Sequence, residues 1–583
     1  MRSGRIWRCC FLPALRRTRP WHPWVRLRDT TASRPGLGQI RCYNAISSES
    51  RAEESLERST SWEERLFGPT PPSDDALNQS SIEELSNALM AMRPPQEWSL
   101  PGQDFDRHSR IVQIVNHMVG TRDQTPTIFI YECMMDAMAD PQGSADGVHE
   151  LFDDMETQGI KPSQILCQSA LAALAIHPDY KLRQDVLALM RDLWFPVDTA
   201  AQQNVVIGLL RDEQYELAYA RLTRLIDQDA RIDSWVLDLF IMAFGKLGFL
   251  DEMLVLLQHR KAFQGASEEV MTTLLYYVLD VCSEAFHLAG TVYAWEAIVR
   301  SSRVQPPDGI VENVLATAAR HGKPLLAAEV LDLLSQRAWG LLPHHYEAVV
   351  EAFAGGGDIV GALRILCIMR KQGKQGIIIK RDHTRSIKQA MMRNPDLLPK
   401  AEKAARALAS DESEPLSPAL VGVIIETQAE LLGSEAAMSL YKDITKLCAS
   451  PADALTMQTL MTHSKTHDTC RTVARHYAAA VPSGKDPPRN PRVYGRLIPA
   501  CAAAGEMDLA FRFAAQALPS CRSRPQLTWV KPLMDCAVAR EDGRIWNLVD
   551  ELMGRDDGDV RAAVRLAMEQ TRLAKQVSDR RRA

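Results

Sequence analysis

The chain has 583 residues, of which 46% are hydrophobic and 6% aromatic, and its formal net charge is −5 at pH 7. This length exceeds the size at which one compact core stops growing, so several domains or a repeat array are expected. An acidic chain is unsuited to indiscriminate binding of nucleic acid, which needs a positive surface, so any RNA binding must be local.

The first 43 residues are strongly basic, with apolar side chains interspersed. They contain ten Arg, no Lys and one acidic residue, Asp29. This profile is typical of a mitochondrial presequence, and Arg41 lies two residues before the aromatic Tyr43, as at matrix-processing sites. Taking these residues from the totals of 68 basic and 73 acidic side chains leaves 58 and 72, a charge of −14. We therefore expect an acidic protein of the mitochondrial matrix; a basic nucleic-acid-binding arm is the alternative.

Two short regions are predicted between the presequence and the main body. Residues 44–80 are rich in Ser, Glu and Pro, which is typical of a flexible linker. Residues 81–109 are predicted to form a short helical segment, because Ser81 and Glu84 have the spacing of a capping box.

Cysteine spacing and hydropathy also limit the class of protein. The nine cysteines after residue 43 include no CxxC pair, which indicates reduced, mostly buried thiols. No apolar run approaches the roughly 20 residues that a membrane span needs. We expect a soluble protein.

A helical unit recurs between residues 110 and 375. The stretch ELFDDMETQGIKPS (residues 150–163) has the pattern of an amphipathic helix end, with Gly159 as its cap and Pro162 preventing continuation. Similar residues return every 35 positions: Met155, Met190 and Leu225 in one set, and Ser163, Asp198 and Asp233 in another. Each unit is predicted to hold two helices, and such units stack because none can bury its apolar face alone.

The same scheme returns towards the C-terminus. Tyr494, Gly505 and Ala510 repeat the spacing of Tyr346, Gly357 and Ala362, which places a second helical block at residues 419–555. A basic stretch and linker at residues 376–418 is predicted to separate the two blocks, and a charged tail to follow at 556–583. We expect insertions at residues 261–310 and 376–420 to break the register. No segment alternates with period two, so the predicted fold is all-α.

The recurring pattern of an aromatic residue, paired apolar residues, Gly, Ala and Phe-x-x-Met-x-x-x-Gly-x-x-Pro resembles the pentatricopeptide repeat. The match is clearest at residues 128–260 and 311–375 and good at 491–518. The resemblance implies an all-α, right-handed superhelical solenoid of helix-turn-helix repeats of about 35 residues. The related tetratricopeptide unit carries a Trp…Leu-Gly…Tyr pattern that this sequence does not show.

The resemblance also implies that RNA bases are read by two side chains per unit, one early in the first helix and one just before the next unit. The corresponding pairs are Glu132 with Ser163, Gln168 with Asp198, and Gln203 with Asp233. Ser and Asp are residue types that the family uses at the last position. Glu and Gln depart from the usual Asn, Thr or Ser at the early position, and Glu132 would repel phosphate. N-capping of helices is the alternative role for the two aspartates.

A basic stretch follows these repeats. Ten Lys or Arg occur between Arg370 and Lys403, against three acidic residues. Candidate contacts to the phosphate backbone are Arg370, Lys371, Lys380, Arg381, Arg385 and Lys388. An ordinary solvated surface is the alternative, and the same holds for the basic residues at 580–582.

Three enzymatic interpretations are disfavoured. His463, His467 and Cys470 would share one face of a helix and would need a fourth zinc ligand from elsewhere. His345 and Glu347 match the HxE of a zinc deaminase, but no PCxxC follows. The aspartates between residues 535 and 559 lie in a charge-mixed helical stretch, unlike the converging carboxylates of a two-metal nuclease. We predict no catalytic residues, metal or cofactor.

These observations predict a non-enzymatic, monomeric mitochondrial protein of pentatricopeptide type. It would bind single-stranded organellar RNA and support its processing, stability or translation. The alternative is a protein-binding scaffold, either an assembly factor for a respiratory complex or a factor associated with the mitochondrial ribosome. The acidic charge and the unusual reading positions favour the alternative, and a solenoid can serve either partner.

Overall fold

A computed structural model describes ten segments of the chain. These are residues 65–67, 71–93, 106–262, 268–337, 341–371, 377–411, 415–481, 491–520, 527–555 and 557–571. The segments contain helices and no strand, so the predicted all-α fold is confirmed. Among them, no helix has both the length and the apolarity to cross a membrane. The predicted presequence lies outside the described residues.

Within the described residues, the repeats are preceded by α1 (Asp74–Gln79), α2 (Ile82–Met92) and α3 (Arg107–Asn116). A π-helical turn, His117–Thr121, extends α3. The predicted capping box starts α2: the Ser81 hydroxyl accepts a hydrogen bond from the Glu84 N–H at 3.1 Å, and the Glu84 carboxylate accepts one from the Ser81 N–H at 2.8 Å.

Two-helix units follow, and twelve are complete within the described residues. The helices of units 1 to 6 are α4 (Ile128–Ala137) and α5 (Ala145–Thr157), α6 (Gln164–Ile176) and α7 (Tyr180–Asp192), α8 (Thr199–Arg211) and α9 (Tyr215–Asp227), α10 (Ser234–Leu247) and α11 (Leu250–Ala262), α12 (Glu268–Glu284) and α13 (Leu288–Ala294), and α14 (Asp308–Arg320) and α15 (Pro324–Ser335). A π-helical turn at Trp295–Val299 continues α13.

The helices of units 7 to 12 are α16 (Pro343–Gly355) and α17 (Ile359–Lys371), α18 (Arg385–Arg393) and α19 (Leu397–Asp411), α20 (Pro418–Leu432) and α21 (Ser434–Cys448), α22 (Ala454–Thr462) and α23 (His467–Ala480), α24 (Tyr494–Ala504) and α25 (Met507–Ala517), and α26 (Val530–Ala539) and α27 (Arg544–Met553). A last helix, α28 (Gly558–Gln570), follows. Short 3₁₀ turns lie at Arg381–Thr384, Pro491–Val493 and Leu518–Ser520.

Glycine and alanine shape the units as the sequence predicts. Gly357 and Gly505 make the turns between two helices with φ of 83° and 93°, a left-handed backbone that favours glycine. Ala362 and Ala510 are fully buried beside these turns, where a small side chain lets the two helices approach closely. The matching positions in units 7 and 11 therefore have the same structural role.

The units stack into a continuous solenoid. The first helix of a unit packs against its own second helix and against the first helix of the next unit. The two largest groups of buried apolar side chains meet within α16, where Val349 belongs to one group and Tyr346 to the other. The predicted helical solenoid is therefore confirmed, with a core that runs along the stack.

Residues 268–299 form unit 5 and residues 385–411 form unit 8, so the segment expected to be a linker at 376–418 contains a two-helix unit. The 35-residue interval nevertheless changes there, because the first helices begin at residues 268, 308, 343, 385 and 418, at intervals of 40, 35, 42 and 33. In α18 the charged side chains face outwards, while Ile387, Ala390 and Met391 are buried at helical spacing. Because charged residues are interspersed among the apolar ones in this segment, its helical pattern is weak in the sequence.

Candidate functional site

The candidate site is the exposed side of the first helices, called here the first-helix surface. The predicted reading pairs lie on it, because the early residue is the fifth of a first helix and the last residue precedes the next first helix. Glu132, Gln168 and Gln203 are the fifth residues of α4, α6 and α8. Stacking of successive first helices brings each of these positions near the start of the next unit.

Glu132 and Ser163 are in contact and fully engaged within the protein. The Ser163 hydroxyl donates to the Glu132 carboxylate at 2.6 Å and accepts from the Leu166 N–H at 3.1 Å. The other carboxylate oxygen of Glu132 is 2.8 Å from the Arg93 guanidinium, which also pairs with Asp136 at 2.9 Å. The charge of Glu132 is thus neutralised, and the pair connects units 1 and 2.

Gln203 is also engaged, with 4% of its surface exposed. Its side-chain oxygen accepts a hydrogen bond from the Asp233 N–H at 2.8 Å, and its amide nitrogen donates to the Arg231 carbonyl at 3.5 Å. The Asp233 side chain is exposed and does not cap α10 by a hydrogen bond. Gln203 therefore contacts the backbone N–H of Asp233 and not its side chain.

Gln168 and Asp198 retain unused hydrogen-bonding capacity. The side-chain nitrogen of Gln168 is buried, with no hydrogen-bond partner in the described part of the chain. Asp198 is exposed and caps α8 by accepting from the Ala201 N–H at 2.7 Å. One of its carboxylate oxygens makes this N-cap contact, so the predicted capping role applies to Asp198 but leaves the other oxygen for a ligand.

The six basic candidates occupy different environments. Arg370 and Lys371 end α17, a second helix, and Arg370 donates to the Pro415 carbonyl. Lys380 and Arg385 are exposed. The Lys388 ammonium lies 2.6 Å from Glu430 and 3.9 Å from Glu426, so it is already paired.

Arg381 makes the most extensive ion pairing of the six. Its guanidinium lies 2.6 Å from Glu426 on α20 and 2.5 Å from Asp453, the N-cap of α22, and it donates to the Thr456 hydroxyl at 3.0 Å. Burial disfavours its charge, but the two carboxylates raise the pKa of Arg381. Burial also raises the pKa of Glu426, which is 3% exposed. Arg381 lies in the 3₁₀ turn before unit 8 and therefore connects units 9 and 10 without belonging to either.

Histidines occupy the start of two first helices. His345 Nδ1 accepts from the Leu342 N–H and His383 Nδ1 from the Lys380 N–H, each at 3.1 Å. In the neutral ring the proton is then on Nε2, which faces Glu312 at 3.6 Å for His345 and Glu347 at 3.3 Å for His383. Burial, and then the neighbouring His344, lower the pKa of His345.

This geometry bears on metal binding. Glu312, His344 and His345 lie close enough to hold a metal ion, but the Nε2 proton of His345 occupies the position of the lone pair that a metal would need. The zinc face considered at His463, His467 and Cys470 does not form, because His463 ends α22 and His467 begins α23.

Two apolar positions on the first-helix surface escaped the sequence analysis. Ile165 and Trp235 are the second residues of α6 and α10, and they are 52% and 55% exposed. With Ala200 they form a set at intervals of 35 residues, so the repeat itself contains the signal that could have found them. Exposed flat or branched apolar side chains at this position can contact the faces of nucleic-acid bases.

The fold defines a helical-repeat protein whose first helices form an exposed surface along much of the stack. A family model described as "Pentatricopeptide repeat-containing protein" matches residues 308–444, which comprise units 6 to 8 and most of unit 9. The resemblance predicted from the sequence is thereby confirmed. The match includes unit 8, where a linker was expected.

Solved structures with a similar helical arrangement include the pentatricopeptide repeat protein PPR10 in complex with an 18-nt psaJ RNA element (14% identity, 86% of this chain and 79% of that chain, TM-score 0.27). Yeast Rmd9p in complex with 16nt target RNA shares 10% identity (85% and 93%, TM-score 0.30). A homology model of the full-length AP-3 complex shares 11% (86% and 91%, TM-score 0.33). None of the curated protein sequences matched the chain.

Proposed function

We propose that this protein binds single-stranded RNA along its first-helix surface and acts in mitochondria to support the processing, stability or translation of a transcript. The observation that carries the proposal is the match of residues 308–444 to the pentatricopeptide repeat model, because such repeats read RNA one base per unit. No enzymatic step is part of the proposed function.

Base contacts would come from side chains that the fold leaves available. Trp235 presents an indole on which a base can stack, and Ile165 presents an apolar edge at the equivalent position two units earlier. Asp198 is exposed and offers a carboxylate acceptor for the edge of a base, whereas the amide nitrogen of its predicted partner Gln168 is buried. Glu132 and Ser163 would instead maintain the junction of units 1 and 2.

Phosphate contacts would come from α18, the first helix of unit 8. Arg385 and Arg393 are exposed on this helix and line a shallow groove of about 510 Å³ together with Lys388, Gln389, Met392 and Glu430. Two arginines at the edge of an open groove can neutralise a phosphate backbone by local charge, despite the acidic total.

The test is a paired charge reversal, Arg385→Glu with Arg393→Glu. We expect weaker binding to a randomised single-stranded RNA pool, and a slope of log affinity against log salt that is lower by about 1.4, since each phosphate contact in single strands contributes roughly 0.7. Arg191→Glu with Arg364→Glu is the matched control, because these exposed arginines lie on the second helices α7 and α17. Equal effects of the two pairs would contradict the proposed phosphate site.

A protein ligand is the second candidate, and one observation favours it. The first helices of units 5 to 7 expose Glu269, Glu312 and Glu351, so this part of the first-helix surface is acidic and suits a basic polypeptide better than phosphate. The ratio of absorbance at 260 and 280 nm of the purified protein discriminates the two. An absorbance ratio typical of protein without nucleic acid, together with a stoichiometric protein partner, would favour a protein-binding scaffold.

The mitochondrial part of the proposal rests on residues 1–43. Their arginine-rich sequence and the Arg41–Tyr43 spacing predict import and cleavage, with a mature chain that begins at Asn44. Cell fractionation followed by N-terminal sequencing tests this. A chain that retains its first 43 residues outside mitochondria would contradict it.

A further inference from the structure

The first-helix surface is closed at unit 1. No residue of α4 is exposed, and the Arg93 side chain, 17% exposed, lies against Glu132 and Asp136 of this helix. Arg93 follows directly after α2, so the N-terminal helices supply the group that covers α4. A ligand on the first-helix surface therefore has no exposed side chain to contact at unit 1.

The surface is closed again at units 9 and 10. In α20 all residues from 420 to 429 are buried and the one exposed side chain is Leu432, at the last position of the helix, while no residue of α22 is exposed. The 3₁₀ turn Arg381–Thr384 packs against α20, and Arg381 extends from there to Asp453, 72 residues further along the chain. The segment that leads into unit 8 thus covers the first helix of unit 9.

Seven consecutive first helices between these two ends are open. Each exposes at least one side chain: Ile165 on α6, Ala200 on α8, Trp235 on α10, Thr273 on α12, Glu312 on α14, Glu351 on α16 and Arg385 on α18. Units 11 and 12 expose side chains again, such as Arg496 and Asp535, but α20 and α22 separate them from this set. The open set is called the window.

We infer that the window fixes the length of the bound RNA. The inference rests on the proposed function and adds that contact is limited to units 2 to 8, which at one base per unit corresponds to about seven nucleotides. Arg93 and Arg381 mark its two ends. Extension past unit 8 would require removal of Arg381 from Glu426, and that would leave a carboxylate with 3% exposure without its partner.

The experiment uses the full chain and a pool of 20-nucleotide single-stranded RNA of random sequence that contains 4-thiouridine. After ultraviolet crosslinking, nuclease digestion gives the length of protected RNA and mass spectrometry gives the crosslinked peptides. We expect protected fragments of about seven nucleotides. Crosslinks should map to α6 through α18, with none on α4, α20 or α22.

Each alternative outcome has a separate meaning. Fragments of ten or more nucleotides, or crosslinks on α20 or α22, would overturn the window and leave RNA binding intact. Crosslinks on second helices only would overturn the first-helix surface as the site. A complete lack of crosslinks would overturn RNA binding itself, and the window with it. A duplex of the same length serves as the control, since its stacked bases are not available to the window.

Discussion

Units 2 to 8 and units 9 and 10 have the same two-helix architecture, yet their first helices differ in exposure to solvent. In the window every first helix exposes side chains, whereas α20 is buried from residue 420 to residue 429. The segment before unit 8 contributes to this difference, because its 3₁₀ turn packs against α20 and places Arg381 between Glu426 and Asp453.

The comparison also separates two roles for charge. The carboxylates at the closed ends, Glu132 and Glu426, are buried and paired with arginine. A buried pair of this kind is costly to break, because the remaining charge has no partner. The charges of the window, such as Glu351 and Arg385, are exposed and therefore available to a ligand.

The largest expected effect comes from Arg381→Ala. It removes the guanidinium from buried Glu426, which keeps only the Thr456 hydroxyl at 2.8 Å and the Lys388 ammonium at 3.9 Å, so we expect a loss of about 3 kcal/mol in the stability of units 9 and 10. Amide hydrogen exchange in α20 and α22 measures this locally. Arg385→Ala, four residues away and exposed, is the control and should change stability by less than about 0.5 kcal/mol. If the amide hydrogens of α20 and α22 exchange at the same rate in both variants, Arg381 does not stabilise units 9 and 10.

Trp235→Ala tests the open side of the comparison. Loss of the indole should weaken binding of single-stranded RNA by about 1–3 kcal/mol, the usual contribution of one stacked base, and should hardly change thermal stability. Trp194→Ala is the matched control, because Trp194 is 92% exposed but lies after the second helix α7. Fluorescence anisotropy with labelled RNA gives both affinities. Equal losses for the two variants would mean that stacking is not confined to the window.

Asp453→Asn has the smallest expected effect and tests how much the charge of Asp453 stabilises units 9 and 10. Asparagine caps a helix as well as aspartate does, so the change removes mainly the charge that faces Arg381. Because Asp453 is 38% exposed, we expect a loss of about 1 kcal/mol near pH 7.

The pH dependence of this variant has a defined sign. Although burial opposes the charge, the hydrogen bonds from Arg381 lower the pKa of Asp453. Its stabilisation is therefore present above the unfolded pKa of about 3.9 and disappears as the pH falls through the lower folded value. The gap between Asp453→Asn and the parent chain should close below about pH 4. A gap that widens in acid would contradict the pairing.

Much of the fold follows from local and periodic signals in the sequence. The Ser81 capping box and the glycine turns depend on residues a few positions apart, and the structure contains both. The 35-residue interval is a periodic signal, which predicts the stacked two-helix units. Unit 8 was missed because its buried residues are diluted by charged ones.

The covered ends of the candidate site could not be predicted in the same way. Arg93 meets Glu132 across 39 residues and Arg381 meets Asp453 across 72, distances at which only the folded path of the chain brings side chains together. Arg381 and Lys388 look like free cations in the sequence, whereas the structure pairs both with carboxylates. The three reading pairs stay a prediction, and in the second pair the exposed carboxylate of Asp198 is available to a ligand while the amide nitrogen of Gln168 is buried.

The central claim is that the first-helix surface binds RNA. The most direct measurement is ultraviolet crosslinking in intact mitochondria, stringent purification of the tagged protein and sequencing of the attached RNA. We expect a sharp footprint on one or a few transcripts, weakened in the Trp235→Ala variant and retained in Trp194→Ala. A clean preparation without RNA, but with stoichiometric protein partners, would contradict it and make the protein an assembly scaffold.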